Sequence, residues 1–210
     1  IGAKLMADLV QTAGANRLIC IDLHSEQIQG FFDIPVNLIP ARVVFSKHTL
    51  FLEADDYCVV SPDAGGVKRA MRFYQKFLNR FPSASFAMMS KIRQRPNEIE
   101  RMDLIGNVEG KHALILDDMV DTAGTLIRAA ELLKEGGARR VTALISHGVL
   151  SGKGHERILE SKDLDQLVIT DSIKQPDNPK IKVVSCVPAL AAAVHAVVNQ
   201  ISMDDHLNRL

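Results

Sequence analysis

Apolar positions along the chain recur in two alternating rhythms. From Ile1 to Ala13, the residues Leu5, Leu9, Val10 and Ala13 return at helical spacing, and Gly14 suits a left-handed stop. Arg17 to Leu23 (RLICIDL) is an apolar run too short for a helix and reads as a buried strand. The alternation continues with a strand at Tyr57 to Ser61, a helix at Val67 to Arg80, and strands at Ser85 to Met89 and His112 to Leu116. A helix at Thr125 to Glu135, strands at Arg140 to Ile145 and Leu167 to Thr170, and an Ala-rich helix at Ala189 to Ile201 complete the pattern. Lys91 to Met102 (KIRQRPNEIERM) breaks it. This stretch is polar, holds Pro96 and is expected to be a long exposed loop, a class of segment that is usually functional or mobile.

Strands and helices alternating over short connections pair in parallel and place helices on both faces. The expected fold class is α/β, a doubly wound parallel sheet. Such sheets take ligands outside the carboxyl ends of their strands, so the residues just after each predicted strand are where chemistry is to be sought.

Composition narrows the ligand. The 210 residues carry 25 basic and 25 acidic side chains, a balance of zero, which argues against nucleic acid as a partner and for small ligands. Cys20, Cys58 and Cys186 are few, widely spaced and set in apolar runs, so neither a disulfide framework nor a zinc cluster is expected. The longest apolar tract, Val187 to Val198, holds Pro188 and His195 and is too short to span a bilayer. A cytoplasmic protein with no membrane partner is the expectation. Because Ile1 already reads as part of a mid-fold helix, the chain is also expected to lack an N-terminal portion.

The most informative segment is His112 to Thr125, HALILDDMVDTAGT. An apolar strand ends in Asp117 and Asp118, and then Asp121, Thr122, Ala123, Gly124 and Thr125 make a turn that opens a helix. Free N–H groups and the helix dipole at such a point attract an anion, and small residues let a phosphate approach the backbone. Two carboxylates beside that nest would repel a phosphate but suit sugar hydroxyls, directly or through a hard cation. Phosphate plus vicinal hydroxyls describes a ribose 5-phosphate group. The plainer alternative is that these acids merely cap the next helix.

The segment resembles the phosphoribosyl-pyrophosphate loop of the type I phosphoribosyltransferase fold. Three further stretches resemble the ribose-phosphate pyrophosphokinase (PRPP synthase) family in particular. These are DLHSEQIQGFF from Asp22 to Phe32 with Ile34-Pro35-Val36, VSPDAGG from Val60 to Gly66, and Lys91 to Asn97 followed by Met102 and Ile105 to Val108. The resemblance runs from the first residues to about Ile173. It implies a phosphoribosyltransferase-like sheet with the remnant of a second, similar domain. Residues 1–41 would end the N-terminal domain, 42–197 would form the C-terminal one, and 198–210 would return to the first.

By the same resemblance, the protein would move the diphosphoryl group of ATP to the 1-hydroxyl of ribose 5-phosphate, with Mg2+ as cofactor. Lys91 and Arg93 would stabilise the transition state, with Arg93 also reaching ribose 5-phosphate beside Asp117, Asp118 and Asp121 to Thr125. His24 and Asp63 would serve the metal, and His24 and Asn37 would serve ATP. Read alone, His24 is better explained as a half-buried histidine, and Asp63 is as well explained as a helix cap. A homo-oligomer, a hexamer built from dimers, is implied. Departures include Asn37 where the family usually has an acid, Lys153 and Gly154 where Pro and Ala are usual, and a C-terminus lacking the usual aromatic residues. A non-catalytic regulatory relative and a base phosphoribosyltransferase are the alternatives.

Overall fold

Apolar runs without helical spacing become strands where both of their faces can be covered. In the computed structural model, which describes residues 1–49, 56–92 and 101–207, the elements follow in this order. The first are α1 (Gly2–Thr12), β1 (Leu18–Ile21), a 3-10 turn (Glu26–Phe31), β2 (Val36–Ile39) and α2 (Ala41–Thr49). Next come β3 (Tyr57–Ser61), α3 (Val67–Phe77), β4 (Ser85–Ile92), β5 (Arg101–Ile105), β6 (His112–Val120) and α4 (Gly124–Glu135). The last are β7 (Arg140–Gly148), α5 (Gly154–Glu160), β8 (Gln166–Thr170), β9 (Ile181–Val184), α6 (Val187–Val198) and α7 (Met203–Leu207). By contact density they fall into two units, Ile1–Leu50 with Ser185–Leu210, and Phe51–Val184.

The larger unit holds a seven-stranded sheet in the order β5-β4-β3-β6-β7-β8-β9. All its pairings are parallel except β4 with β5. The expected doubly wound sheet is therefore present, with one antiparallel edge strand that was not foreseen. Alternate residues of the central strands serve opposite faces. Cys58, Val60, Ala113, Ile115, Val141 and Ala143 pack with Ala129 and Leu133 of α4 and Ile158 of α5. On the other face Tyr57 meets Phe77 of α3 edge-on, ring centroids 5.4 Å apart. His112 and Thr142, polar but buried, satisfy each other there, Nε2 to Oγ1 at 2.9 Å.

In the smaller unit β1 and β2 pair in parallel, with Ile19 opposite Asn37. A two-stranded sheet is marginal alone, and α6 packs on both strands while α7 packs on α6. The helix starts with Pro188 in its first turn, where the missing N–H costs nothing. Ala189, Ala192, Ala193 and Ala196 are its buried stripe. The division between the units falls at 50/51 and 184/185, whereas the sequence placed boundaries at 41/42 and 197/198. Helix α6 lies with β1 and β2 because its small-residue face fits that pair.

Two expectations about extents need correction. The ladder between β6 and β7 continues past Leu116 and Ile145 to pair Val120 with Gly148, so the double acid lies inside a strand. The stretch Lys91 to Met102 is a loop only in part: Lys91 pairs with Met102 and Ile92 with Arg101 as β4 and β5 run into it. The three cysteines are free thiols. No helix among the described residues is long and apolar enough to cross a membrane.

Candidate active site

Strand order reverses between β3 and β6, since β4 and β5 follow β3 outward on one side and β7, β8 and β9 follow β6 on the other. Loops leave the carboxyl ends of such neighbours in opposite directions and open a crevice. A cleft of about 240 Å³ lies there, lined among others by Asp63 after β3, by Asp117 in β6 and by Asp121 to Thr125. The acids predicted from two separate stretches of sequence are thus brought to one place.

Asp117 and Asp118 both reach Arg69 of α3, whose Nη1 lies 3.5 Å from Asp117 Oδ1 and 2.9 Å from Asp118 Oδ1, and they differ in burial and in access to the cleft. The Asp118 side chain is only 4% exposed and pairs with Arg69 of α3, 2.9 Å from Nη1 to Oδ1. It is not among the side chains lining the cleft. Asp117 does line the cleft and accepts the Asp118 backbone N–H at 2.9 Å. Burial above all, then a hydrogen bond with the Asp118 carboxyl and the charges of Asp118 and Asp63, pushes the Asp117 carboxyl up to about 7. Near neutral pH it can therefore either accept or donate a hydrogen bond.

The turn after β6 is strained in a useful way. Ala123 has φ 63° and is the residue before α4, with no side chain capping the helix. A left-handed alanine costs about 1–2 kcal/mol, and such strain persists where surrounding contacts hold it. From Gly124 to Leu126 the backbone N–H groups have no acceptor among the described residues. The neighbouring segment supports the turn from behind. Val149 and Leu150 donate to the Val120 carbonyl at 2.9 and 3.1 Å. Arg157 Nη1 donates to the Thr122 carbonyl at 2.7 Å, and Ser151 Oγ donates to the Asp121 carboxylate. Arg69, Ser151 and Arg157 were not singled out from the sequence, because nothing local marks a residue whose partner lies on a different element.

Asp63 closes the turn that leads into α3, whose start has no side-chain cap of its own. Its Oδ1 accepts the Gly66 N–H at 2.8 Å, and Gly65 and Gly66 leave the room this requires. Its other oxygen has no hydrogen-bond partner among the described residues and remains for a cation. No group of three or more His, Cys, Asp or Glu among the described residues is arranged to hold a metal. One carboxylate oxygen fits magnesium, which keeps several waters and takes its remaining ligands from substrate phosphates.

His24 lies just past β1 and is exposed, not half-buried as one reading of the sequence had it. Asn37 lies within β2, where its amide oxygen accepts Arg17 Nη1 at 2.7 Å. Lys91 stands in β4 opposite Met102. Arg93 lies outside the described residues.

Residues 80–209 match the phosphoribosyl synthetase-associated domain family. The ribose-phosphate pyrophosphokinase of Clostridium acetobutylicum is 46% identical over 204 residues, covering 94% of this chain and 61% of that protein. That of Bacillus subtilis is 44% identical over 206 residues, with 97% and 63% covered. The crystal structure of phosphoribosylpyrophosphate synthetase from Mycobacterium smegmatis matches with a TM-score of 0.83 at 34% identity, over 95% of this chain and 64% of that one. The chain spans about three fifths of the length of the curated relatives it matches. An acidic strand followed by an uncapped helix is found here in a chain that belongs to the phosphoribosyl pyrophosphate synthetase family, the ribose-phosphate pyrophosphokinases.

Proposed function

We propose that the protein transfers the diphosphoryl group of ATP to the 1-hydroxyl of ribose 5-phosphate, giving PRPP and AMP for nucleotide biosynthesis. One observation carries this reading. The acid Asp117 leads into the left-handed, uncapped start of α4 at the reversal of strand order, in a chain 46% identical to a named ribose-phosphate pyrophosphokinase.

The free N–H groups at the start of α4 and the hydroxyls of Thr122 and Thr125 receive the 5-phosphate. Asp117 takes the ribose hydroxyls, while Asp118 acts through its pair with Arg69. Asp121 is held by Ser151, which keeps its charge at the edge of the nest. Asp63, with one oxygen left, holds the Mg2+ that accompanies ATP, and the ion neutralises charge on the phosphates. His24 serves the metal through a water and ATP directly. Asn37, whose oxygen is engaged by Arg17, has its amide N–H groups to offer the nucleotide. Lys91 and Arg93 offset the charge that develops on the transferred group, the main task a protein has in phosphoryl transfer. The smaller unit represents part of an N-terminal phosphoribosyltransferase-like half, the larger unit the C-terminal half, and the working protein is a cytoplasmic homo-oligomer.

The test is AMP release from ATP and ribose 5-phosphate. It should require Mg2+ and fall by about 100-fold or more in Lys91→Ala. Nucleotide formation from PRPP and a purine or pyrimidine base, with no AMP from ATP, would overturn the reading.

A further inference from the structure

We infer that Arg157 is a positioning residue that locks the Thr122–Ala123 peptide in its anion-receptive orientation. The inference rests on the proposed role of the turn as a phosphate nest. The backbone itself supplies the reason a lock is needed. Ala123 at φ 63° is strained, and a flip of the peptide before it would carry φ to negative values that alanine prefers. Such a flip exchanges the places of the Thr122 carbonyl and the Ala123 N–H, because the two point in opposite directions across a trans peptide. It leaves the Ala123 carbonyl where it is, so its bond from Ile127 N–H at 2.9 Å, and with it α4, would survive. The turn therefore has two accessible states, and one of them presents a carbonyl to the phosphate in place of an N–H.

Arg157 decides between them. Its Nη1 holds the Thr122 carbonyl at 2.7 Å. Arg157 is exposed on α5 and is not among the side chains lining the cleft, whereas Thr122 and Ala123 both line it. The guanidinium thus holds the carbonyl from outside, and the Ala123 N–H points the other way. Its Nη1 lies 3.7 Å from the point where a Gly124 side chain would begin, so the residue is seated directly behind the nest. The nearby contacts do not substitute for it: Ser151 holds the Asp121 side chain, and Val149 and Leu150 hold the Val120 carbonyl, all before the peptide in question.

The experiment compares wild type, Arg157→Met, Arg157→Lys and Arg157→Met with Ala123→Gly, titrated with ribose 5-phosphate and with the fold checked by thermal melting. Arg157→Met should weaken binding by about tenfold or more, the effect of losing a charged hydrogen bond, and Arg157→Lys should restore part of it. Glycine removes the left-handed penalty, so Ala123→Gly should suppress the Arg157→Met defect. A phosphate contact or a merely structural role would not be rescued in this way. In enzyme assays the KM for ribose 5-phosphate should rise while that for ATP holds. Crystal structures of the wild type and Arg157→Met give a ligand-free readout: a negative φ at Ala123 in the variant supports the lock, and an unchanged positive φ overturns it. If wild type binds no ribose 5-phosphate, the proposed function fails, and the φ comparison still decides the inference.

Discussion

Arg69 and Asp118 form an ion pair 2.9 Å long that ties α3 to the middle of the sheet, with the acid 4% and the base 21% exposed. A pair enclosed to this degree is costly to break on one side, because the remaining charge stays in a poorly solvated place. Arg69→Met should cost about 2–3 kcal/mol in urea unfolding, and adding Asp118→Asn should return most of it. A single variant within about 0.5 kcal/mol of wild type would show that the pair does not hold the strand end.

Asp117 gives the protein a pH dependence of definite sign. Its carboxyl is raised from 3.8 to about 7, so between those values the native state keeps a proton that the unfolded state has lost. Stability contributed by this site is full below 3.8 and is lost as pH rises through 7. Asp117→Asn should therefore melt higher than wild type at pH 8, and the two should converge near pH 4. Parallel melting curves across that range would contradict the burial argument. The same variant should weaken ribose 5-phosphate binding.

Turn and metal roles at Asp63 can be separated. Asn retains an oxygen for the Gly66 N–H, so Asp63→Asn should stay within about 0.5 kcal/mol of wild type, while Asp63→Ala should lose about 1 kcal/mol. Both should lose response to Mg2+ in AMP formation. If Asp63→Asn keeps normal Mg2+ dependence, the carboxylate serves the turn alone.

Gly154 is a further point of leverage. A side chain there would begin 2.8 Å from the Asp121 carbonyl oxygen and 3.3 Å from Leu150 Cβ, too close for backbone that cannot turn away. Gly154→Ala should cost about 1–3 kcal/mol and weaken ribose 5-phosphate binding severalfold. Unchanged melting and binding would mean that α5 shifts freely relative to the turn.

What the sequence disclosed follows from how local each signal is. Tyr57–Ser61 and His112–Leu116 are continuous apolar runs because both of their faces are buried, and they were readable for that reason. The edge strands Arg101–Ile105 and Ile181–Val184 carry charges between apolar residues and could not be told from loop. The run from Asp117 to Thr125 is contiguous, so its chemistry showed without a structure. The different burial of Asp117 and Asp118 does not show in the sequence, because it depends on the ladder that carries the double acid inside a strand. Arg157 was passed over within a segment noted only for its departures at Lys153 and Gly154.

The pairing of β3 with β6, Val60 beside Ile115, puts two distant acids on one crevice and ties ligand recognition to alignment of the sheet. A slip of β6 by a single residue would turn every side chain on it to the opposite face. Asp118 would then enter the cleft, Asp117 would leave it, and Leu114 and Ile115 would trade layers. An error in assembly so small that the strand order survives would still abolish the nest, which would make the proposed binding of a sugar phosphate a direct report of correct folding.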